Sequence, residues 1–533
     1  MTAIAPRFAL GAVLSLAFAA ALPAQGAGGR LGRIDFATSG TPAAQEQFVR
    51  GALLLHSFEF DDAAERFREA EKREPGFAMA YWGEAMTFNH PLWAEQDREA
   101  ALAALARLAP TRQERLAKAP TPREKMYLEA VETLYGEGDK PARDRAYAES
   151  MRRLHEAFPE DLDAASFYAL ALLGACEGKR DFATYMRAAA AVEDVFAKNP
   201  EHPGAVHYLI HCYDDPIHAP LGMRAARVYA TIAPAATHAL HMPSHIFLAS
   251  GMWPEVASSN EASWQASVDR AGRLKLSAEA HSFHALSWLE YAYLQQGRYA
   301  DARRSLATME EDAAKTSADR ARHALVAMRA AYLVETGLWT GDVARRSMAG
   351  GDRSMGGLQD FIDGVAALEA GDRKAAEAAL ARLGARKGET GEGYMSGGGG
   401  NDAILGQELE AKILLARGDR DRALALMAKA AAAEDAMSYE FGPPEIVKPT
   451  HELYGEMLLD AGRAAEARRE FEASLARAPR RALSLLGLAR AAAKQGDLQA
   501  ARDAFRDLSN VWSRADPGVP GLEEARRGAE NRS

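Results

Sequence analysis

The sequence predicts an all-α protein assembled from stacked helical hairpins, and three observations point to it. From Ala44 onward Ala, Leu, Glu and Arg dominate, and no stretch sustains the β-branched alternation of a half-buried strand. One arrangement then recurs: a small residue where two helices must touch, an aromatic after the turn, small residues on the second helix and a closing proline. Finally, a histidine-bearing segment repeats itself after thirty-four residues, the period of a helix-turn-helix repeat. Such a hairpin cannot bury its apolar face alone, so its neighbours must stack on it.

The chain begins with a targeting segment. MTAIAPR supplies a short basic start, FALGAVLSLAFAAAL an apolar run too short and too rich in small residues for a membrane span, and PAQGAGG a small-residue exit. Residues 1–26 therefore read as a signal peptide cut near Ala24 to Ala27, which places the mature protein in the periplasm or outside the cell. No cysteine follows the cut to carry a lipid, and no later stretch is long and apolar enough to cross a bilayer. Residues 27–43 are a lead-in. A formal charge of -10, with no basic block to neutralise phosphates, argues against a nucleic-acid partner. Cys176 and Cys212 could pair in an oxidising compartment, which the sequence leaves undecided. Cys212 directly follows His211, points about 100° away from it on a helix, and reads as a packed small hydrophobe.

The repeat is clearest in RGALLLHSFEFDDAAERFREAEKREP (50–75), with Gly51 at the crossing, Phe60 after the turn, Ala63, Phe67 and Ala70 on the second helix, and Pro75 closing it. It returns in LEYAYLQQGRYADARRSL (289–306), ELYGEMLLDAGRAAEARREFEASLARAP (452–479) and LLGLARAAAKQGDLQAARDAF (485–505). Here the chain resembles the tetratricopeptide repeat family over most of residues 44–515. The resemblance implies a right-handed superhelical solenoid with a long concave groove, in which a protein or peptide partner would lie. It divides the chain into N-terminal repeats (44–200), histidine-rich central repeats (201–312), C-terminal repeats (313–515) and a flexible tail (516–533). Four stretches interrupt the regular text. They are FNHPLWAEQ (88–96), a proline-bearing segment (107–123), the glycine-rich GETGEGYMSGGGGND (388–402) and a proline-stiffened linker (439–456).

Seven of the fourteen histidines fall between His202 and His245. Pro200, His207 and His211 recur as Pro234, His241 and His245, so a duplicated unit kept its histidines. Residues four apart share a helix face, which pairs His207 with His211 and His241 with His245, while Asp214 and Asp215 extend the first face by a turn. If the two copies stack as neighbours about 8–10 Å apart, four imidazoles and two carboxylates come within reach of one ion. Aligned on the repeat frame, the groove-facing stripe also takes in His238, His284 and Tyr291, with His90 further off. Neutral imidazole suits zinc, copper and iron, so a divalent transition metal is the expected cofactor. The plainer alternative is that each ring hydrogen-bonds within a polar lining.

Other chemistry is not supported by the text. HYLIH lacks the glutamate that a zinc-peptidase helix uses as base, and neither a Gly-x-Ser-x-Gly elbow nor a Cys-His nucleophile spacing is present. Trp264, Trp288, Tyr291 and Tyr293 read as packing beside the cluster. Trp82 and Trp93 flank His90, where they could line the groove mouth, and His451 reads as core. Pro443, Pro444 and Lys448 would close over the groove if the C-terminal repeats return to it. The longer string from HYLIHCYDDPIHAP to HMPSHIFLASGMW is similar to the core of exported bacterial tetratricopeptide proteins with an HxxxH, DDPxHA and HxMPSH pattern, which supports it as a unit without assigning chemistry. The leading expectation is an exported solenoid with a partner and a metal site in its groove. The alternatives are a metal-dependent hydrolase or oxidoreductase acting on a small molecule or peptide there, and a metal-free scaffold.

Overall fold

The computed structural model of the protein describes residues 29–177, 179–345, 356–386, 399–439 and 441–530. The expected signal peptide and most of the glycine-rich connection lie outside the described residues. Twenty-seven α-helices run through those residues, and the sole sheet among them pairs Asn89–His90 with Glu95–Gln96. Successive helices pack on one another along the chain, giving an all-α helical-repeat solenoid.

The reason for the small residues at the crossings is direct. Phe67 sits between Gly51 and Gly83, where an added Cβ would meet its ring at 2.8 and 2.3 Å. Phe471 sits between Gly455 and Gly487 in the same way, at 2.9 and 2.2 Å. In both places the phenylalanine lies sixteen residues after one glycine and sixteen before the next. Each aromatic thus plugs the seam between one hairpin and its neighbour, filling space that any side chain at the glycines would take.

The stack curls back on itself. Trp253 Nε1 donates to the Arg480 carbonyl at 3.0 Å, the Ala482 amide donates to Gln295 Oε1 at 3.0 Å, and the Asp516 amide donates to the Gly297 carbonyl at 3.0 Å. At this junction Arg481 is fully buried, hydrogen-bonded to both Glu452 oxygens at 2.8 and 2.9 Å and to the Tyr291 hydroxyl at 2.9 Å, and ion-paired with Glu335 at 2.6 Å. A buried guanidinium needs that degree of pairing to be tolerated. The C-terminal repeats therefore return to the central ones.

One expectation needs correction: the segment beyond 516 holds a helix, Leu522–Glu530, whose Leu522 and Ala525 are buried. The lead-in is anchored: Leu31 and Phe36 are buried, and the Arg33 amide donates to the Glu201 carbonyl at 2.9 Å. His451 is buried as expected, with Glu470 and Asp435 holding its two ring nitrogens at 2.7 and 3.1 Å. No helix among the described residues is long and apolar enough to cross a membrane. Cys176 and Cys212 are both free thiols.

Candidate metal centre

Three inner helices supply the histidines. Pro203–Cys212 carries His207 and His211. The second copy is broken, because Pro243 lacks an amide donor and splits it into Thr237–His241 and Pro243–Ala249, yet His241 and His245 still face each other across the break. Phe283–Gln295 brings His284 at its second position, just as Thr237–His241 brings His238 at its second position.

The rings gather into two sets of three. His207 Nε2 stands 3.1 Å from His211 Nε2 and 3.2 Å from His238 Nε2. His241 Nε2 stands 3.0 Å from His245 Nε2, and the His284 ring lies 4.6 Å from His241, centroid to centroid. Within each trio the candidate ligand atoms all lie within 4.8 Å of one another. The trios adjoin: His211 and His245 are 5.6 Å apart by ring centroid, His238 and His241 5.9 Å. His207, His211, His241 and His245 are buried, whereas His238 and His284 are partly exposed.

The groups behind the rings decide where their protons sit. His207 Nδ1 lies 2.7 Å from the His56 carbonyl, which can only accept, so the proton is on Nδ1 and a lone pair on Nε2. The Asn260 amide donates to the Val256 carbonyl at 2.8 Å, which turns its oxygen to His241 Nδ1 at 2.6 Å and puts that proton on Nδ1 too. The Asp214 carboxylate accepts from His245 Nδ1. With both rings neutral, the Nε2 lone pairs of His241 and His245 face each other at 3.0 Å. That contact is repulsive unless a proton or a metal ion comes between them. Support of a ring through its other nitrogen is how metal-ligating histidines are held.

Burial favours the neutral form of five of the six rings, the form that ligates metals. Loss of hydration brings His207 and His284 down to about 3, and drives His211, His238 and His241 well below the ordinary imidazole value, with adjacent rings adding to the effect.

A third cluster, of two histidines and an aspartate, has another role. His202 Nδ1 accepts the Ala205 amide at 3.2 Å, capping its own helix, so its proton lies on Nε2, 3.5 Å from Asp163. His56 Nδ1 pairs with the Tyr208 hydroxyl at 3.0 Å and its Nε2 with Asp163 at 3.0 Å. Hydration loss lowers His56 to about 4, while the two facing imidazoles outweigh burial and hold the Asp163 carboxyl well below its usual range. Gly204 leaves room for this, since a Cβ there would lie 2.3 Å from His56 Nδ1. Its role is to fix His56, whose carbonyl orients His207.

Of the residues singled out in the sequence, the six histidines His207, His211, His238, His241, His245 and His284 come together. Asp214 joins them as the partner of His245. Asp215 does not: Arg180, His218 and the amides of Ile217 and His218 take up its oxygens. His218 is thereby occupied, and His90 is spoken for by the Thr87 carbonyl and a stacked Phe60 ring at 4.1 Å. Trp288 is wall rather than packing alone, 4.4 Å from His245 and 4.8 Å from His241. Trp82 belongs to the core with Phe36 and Tyr127, away from any groove mouth, whereas Trp93 lies 6.1 Å from His238.

Sequence reasoning passed over His56, Asp163, Asn260 and Phe441, which no spacing rule ties to the cluster. The segment around Phe441 crosses it, with that ring 5.5 Å from His245 and 6.1 Å from His211. Gly442 (φ 108°) adopts a backbone that disfavours side chains, and a Cβ there would lie 2.6 Å from Trp288. Beneath this strap, His284, Trp288, Tyr291, Phe441, Pro443 and Pro444 line a cavity. Glu290 lines it as well, fully buried with neither oxygen hydrogen-bonded, and burial raises its carboxyl well above the usual range.

Fold and cluster together define a helical-repeat solenoid with an interior histidine centre. Within it, residues 455–520 match the tetratricopeptide repeat family, the stretch that holds Gly455, Phe471 and Gly487. No curated protein matches the chain. Among solved structures it is similar to the human IFIT1 dimer with m7Gppp-AAAA, at 12% identity over 93% of this chain and 92% of that one, with a TM-score of 0.38. It is also similar to yeast Tom70, at 13% identity over 91% and 95% of the chains, with a TM-score of 0.29. A third is the APC/C hetero-tetramer Cut9-Hcn1, at 11% identity over 77% and 84%, with a TM-score of 0.29.

Proposed function

We propose that this protein is a transition-metal protein whose interior histidines hold zinc, copper or iron, and that it works on a small molecule at that centre. The Nε2 atoms of His241 and His245 carry the reading, 3.0 Å apart with each Nδ1 held from behind by an oxygen, the arrangement in which paired imidazoles hold an ion. Three protein ligands per ion leave a coordination position open, the arrangement of catalytic rather than structural sites. The cavity beside His284 leads to such a position, and Glu290 on its wall is held as a neutral acid able to donate a proton. This favours a metal-dependent hydrolase or oxidoreductase over a peptide carrier, since the strap at Phe441 and Gly442 lies across the histidines where an extended peptide would run.

The second reading is a protein- or peptide-binding solenoid that carries its metal as a structural ion. It draws on the repeat architecture and on the wide groove lined by Phe60, His90 and Trp93. On the strength of residues 1–26, we place either activity in the periplasm or outside the cell.

Elemental analysis of protein purified without a histidine tag tests the centre. Near-stoichiometric metal is expected, falling to background in His207→Ala/His241→Ala with helical content retained by circular dichroism. Metal-free wild-type protein that takes up none from added zinc or copper would remove the centre from this account. Unfolding of the double variant would favour the structural ion.

A further inference from the structure

We infer that the six histidines hold two ions side by side, one in His207, His211 and His238 and the other in His241, His245 and His284. This rests on the metal reading above and adds the number of ions, their ligands and the class of cofactor: a pair of imidazole-preferring transition ions.

The first argument is geometric. An ion bound to imidazole nitrogens at about 2.0–2.1 Å sets neighbouring donors roughly 3.0–3.4 Å apart at ordinary coordination angles. The nitrogen pairs of 3.1 and 3.2 Å in one trio, and 3.0 Å in the other, match that edge length. A single ion cannot reach all six rings, and the ligand atoms cluster by trio. Among the described residues the one candidate group that spans both is His211, Asp214 and His245.

The second argument is the repeat. Each trio takes two histidines four residues apart from one inner segment, plus the histidine at the second position of the next inner helix, His238 in one case and His284 in the other. A duplicated hairpin has brought a duplicated half-site. Each half-site is also supported by a separate element, His207 by the His56 carbonyl on one side, and on the other His241 by Asn260 and His245 by Asp214. The ring contacts of 5.6 and 5.9 Å across the trios place the half-sites next to each other, the setting of two-metal centres in which one small ligand spans both ions.

The test is stoichiometry. Metal-stripped, tag-free full-length protein is loaded with zinc chloride or copper(II) sulfate, passed through gel filtration and measured for bound metal. Two equivalents per chain are expected in wild type. His207→Ala/His211→Ala and His241→Ala/His245→Ala should each keep one. One equivalent in wild type, or loss of all metal from either variant, overturns the pair but leaves a single-ion centre standing. No equivalents overturns the metal reading itself. Electron paramagnetic resonance of copper-loaded wild type guards against a variant that fails to fold. At two equivalents the spin count should fall below the copper count, because adjacent copper(II) ions couple, while at one equivalent or less it should equal it. Two full, uncoupled signals would also overturn the pair.

Discussion

The His56–Asp163–His202 cluster and the His241–His245 pair are made of the same kinds of side chain, lie within the same stack of helices and are equally buried, yet they are electrostatic opposites. In the first, each imidazole N–H faces the Asp163 carboxylate, and the remaining nitrogens are taken by the Tyr208 hydroxyl and the Ala205 amide. In the second, Asn260 and Asp214 each accept an Nδ1 proton and leave the two Nε2 atoms pointing at one another. A group of histidines and carboxylates is therefore not a metal site by composition. What separates the two is the identity of the atom facing each ring: the first pair of imidazoles faces a shared carboxylate, while the second pair faces each other.

The largest expected consequence falls on the closed cluster. Asp163→Ala strips the carboxylate from two buried imidazoles, and leaving a buried N–H without its acceptor costs about 1–3 kcal/mol each. The loss should appear in the urea midpoint of the metal-free protein. A change below about 1 kcal/mol would mean that the cluster is not the closed network its distances describe.

The open pair should respond to metal instead. A ligand that binds only the folded state stabilises it by about 2.7 kcal/mol at one hundred times its dissociation constant. Zinc titrated against metal-free protein should raise the melting temperature of wild type and of Asp163→Ala alike, and leave that of His207→Ala/His241→Ala unmoved. An equal rise in all three would place the binding on other histidines.

Smaller still is the effect of the supporting groups. Asn260→Ala and Asp214→Asn leave every ligand in place but release the rings from their tautomers, and such changes lower metal affinity about 10–100-fold. Competition with a chromophoric chelator measures this. Asp215→Asn, whose carboxylate serves Arg180 and His218, should leave affinity unchanged, and a matching loss there would return Asp215 to the ligand shell.

How much of this was legible in the sequence follows from how far each signal reaches along the chain. Helix periodicity and the glycine and aromatic seam of Gly51, Phe67 and Gly83 are local, so the repeat stack could be read directly. The histidines were found because duplication wrote them twice at one interval. Asp215 was misassigned because a face rule cannot say which of two adjacent carboxylates turns towards a turn's own amides. His56, Asp163 and Asn260 escaped because they join the site only through tertiary contacts, His56 from 151 residues before His207. Splitting the six rings into two sets needed distances, since the repeat frame alone puts them on one continuous stripe.

His451 gives a third environment, and the weakest test. Burial disfavours its charge, but the Glu470 and Asp435 carboxylates on its two nitrogens prevail and lift it to about 9. A folded-state value above the ordinary 6.5 means that its contribution to stability is fully present below pH 6.5 and is lost as the pH rises through 9. The stability advantage of wild type over His451→Gln should therefore shrink between pH 6 and pH 9.5 in chemical denaturation. None of the six clustered histidines has carboxylates on both nitrogens, so the same rise in pH should leave their metal retention intact. If the advantage is the same at both pH values, His451 is not a charged histidine, and counting the partners behind each ring would not by itself separate charged, closed and open imidazoles in this fold.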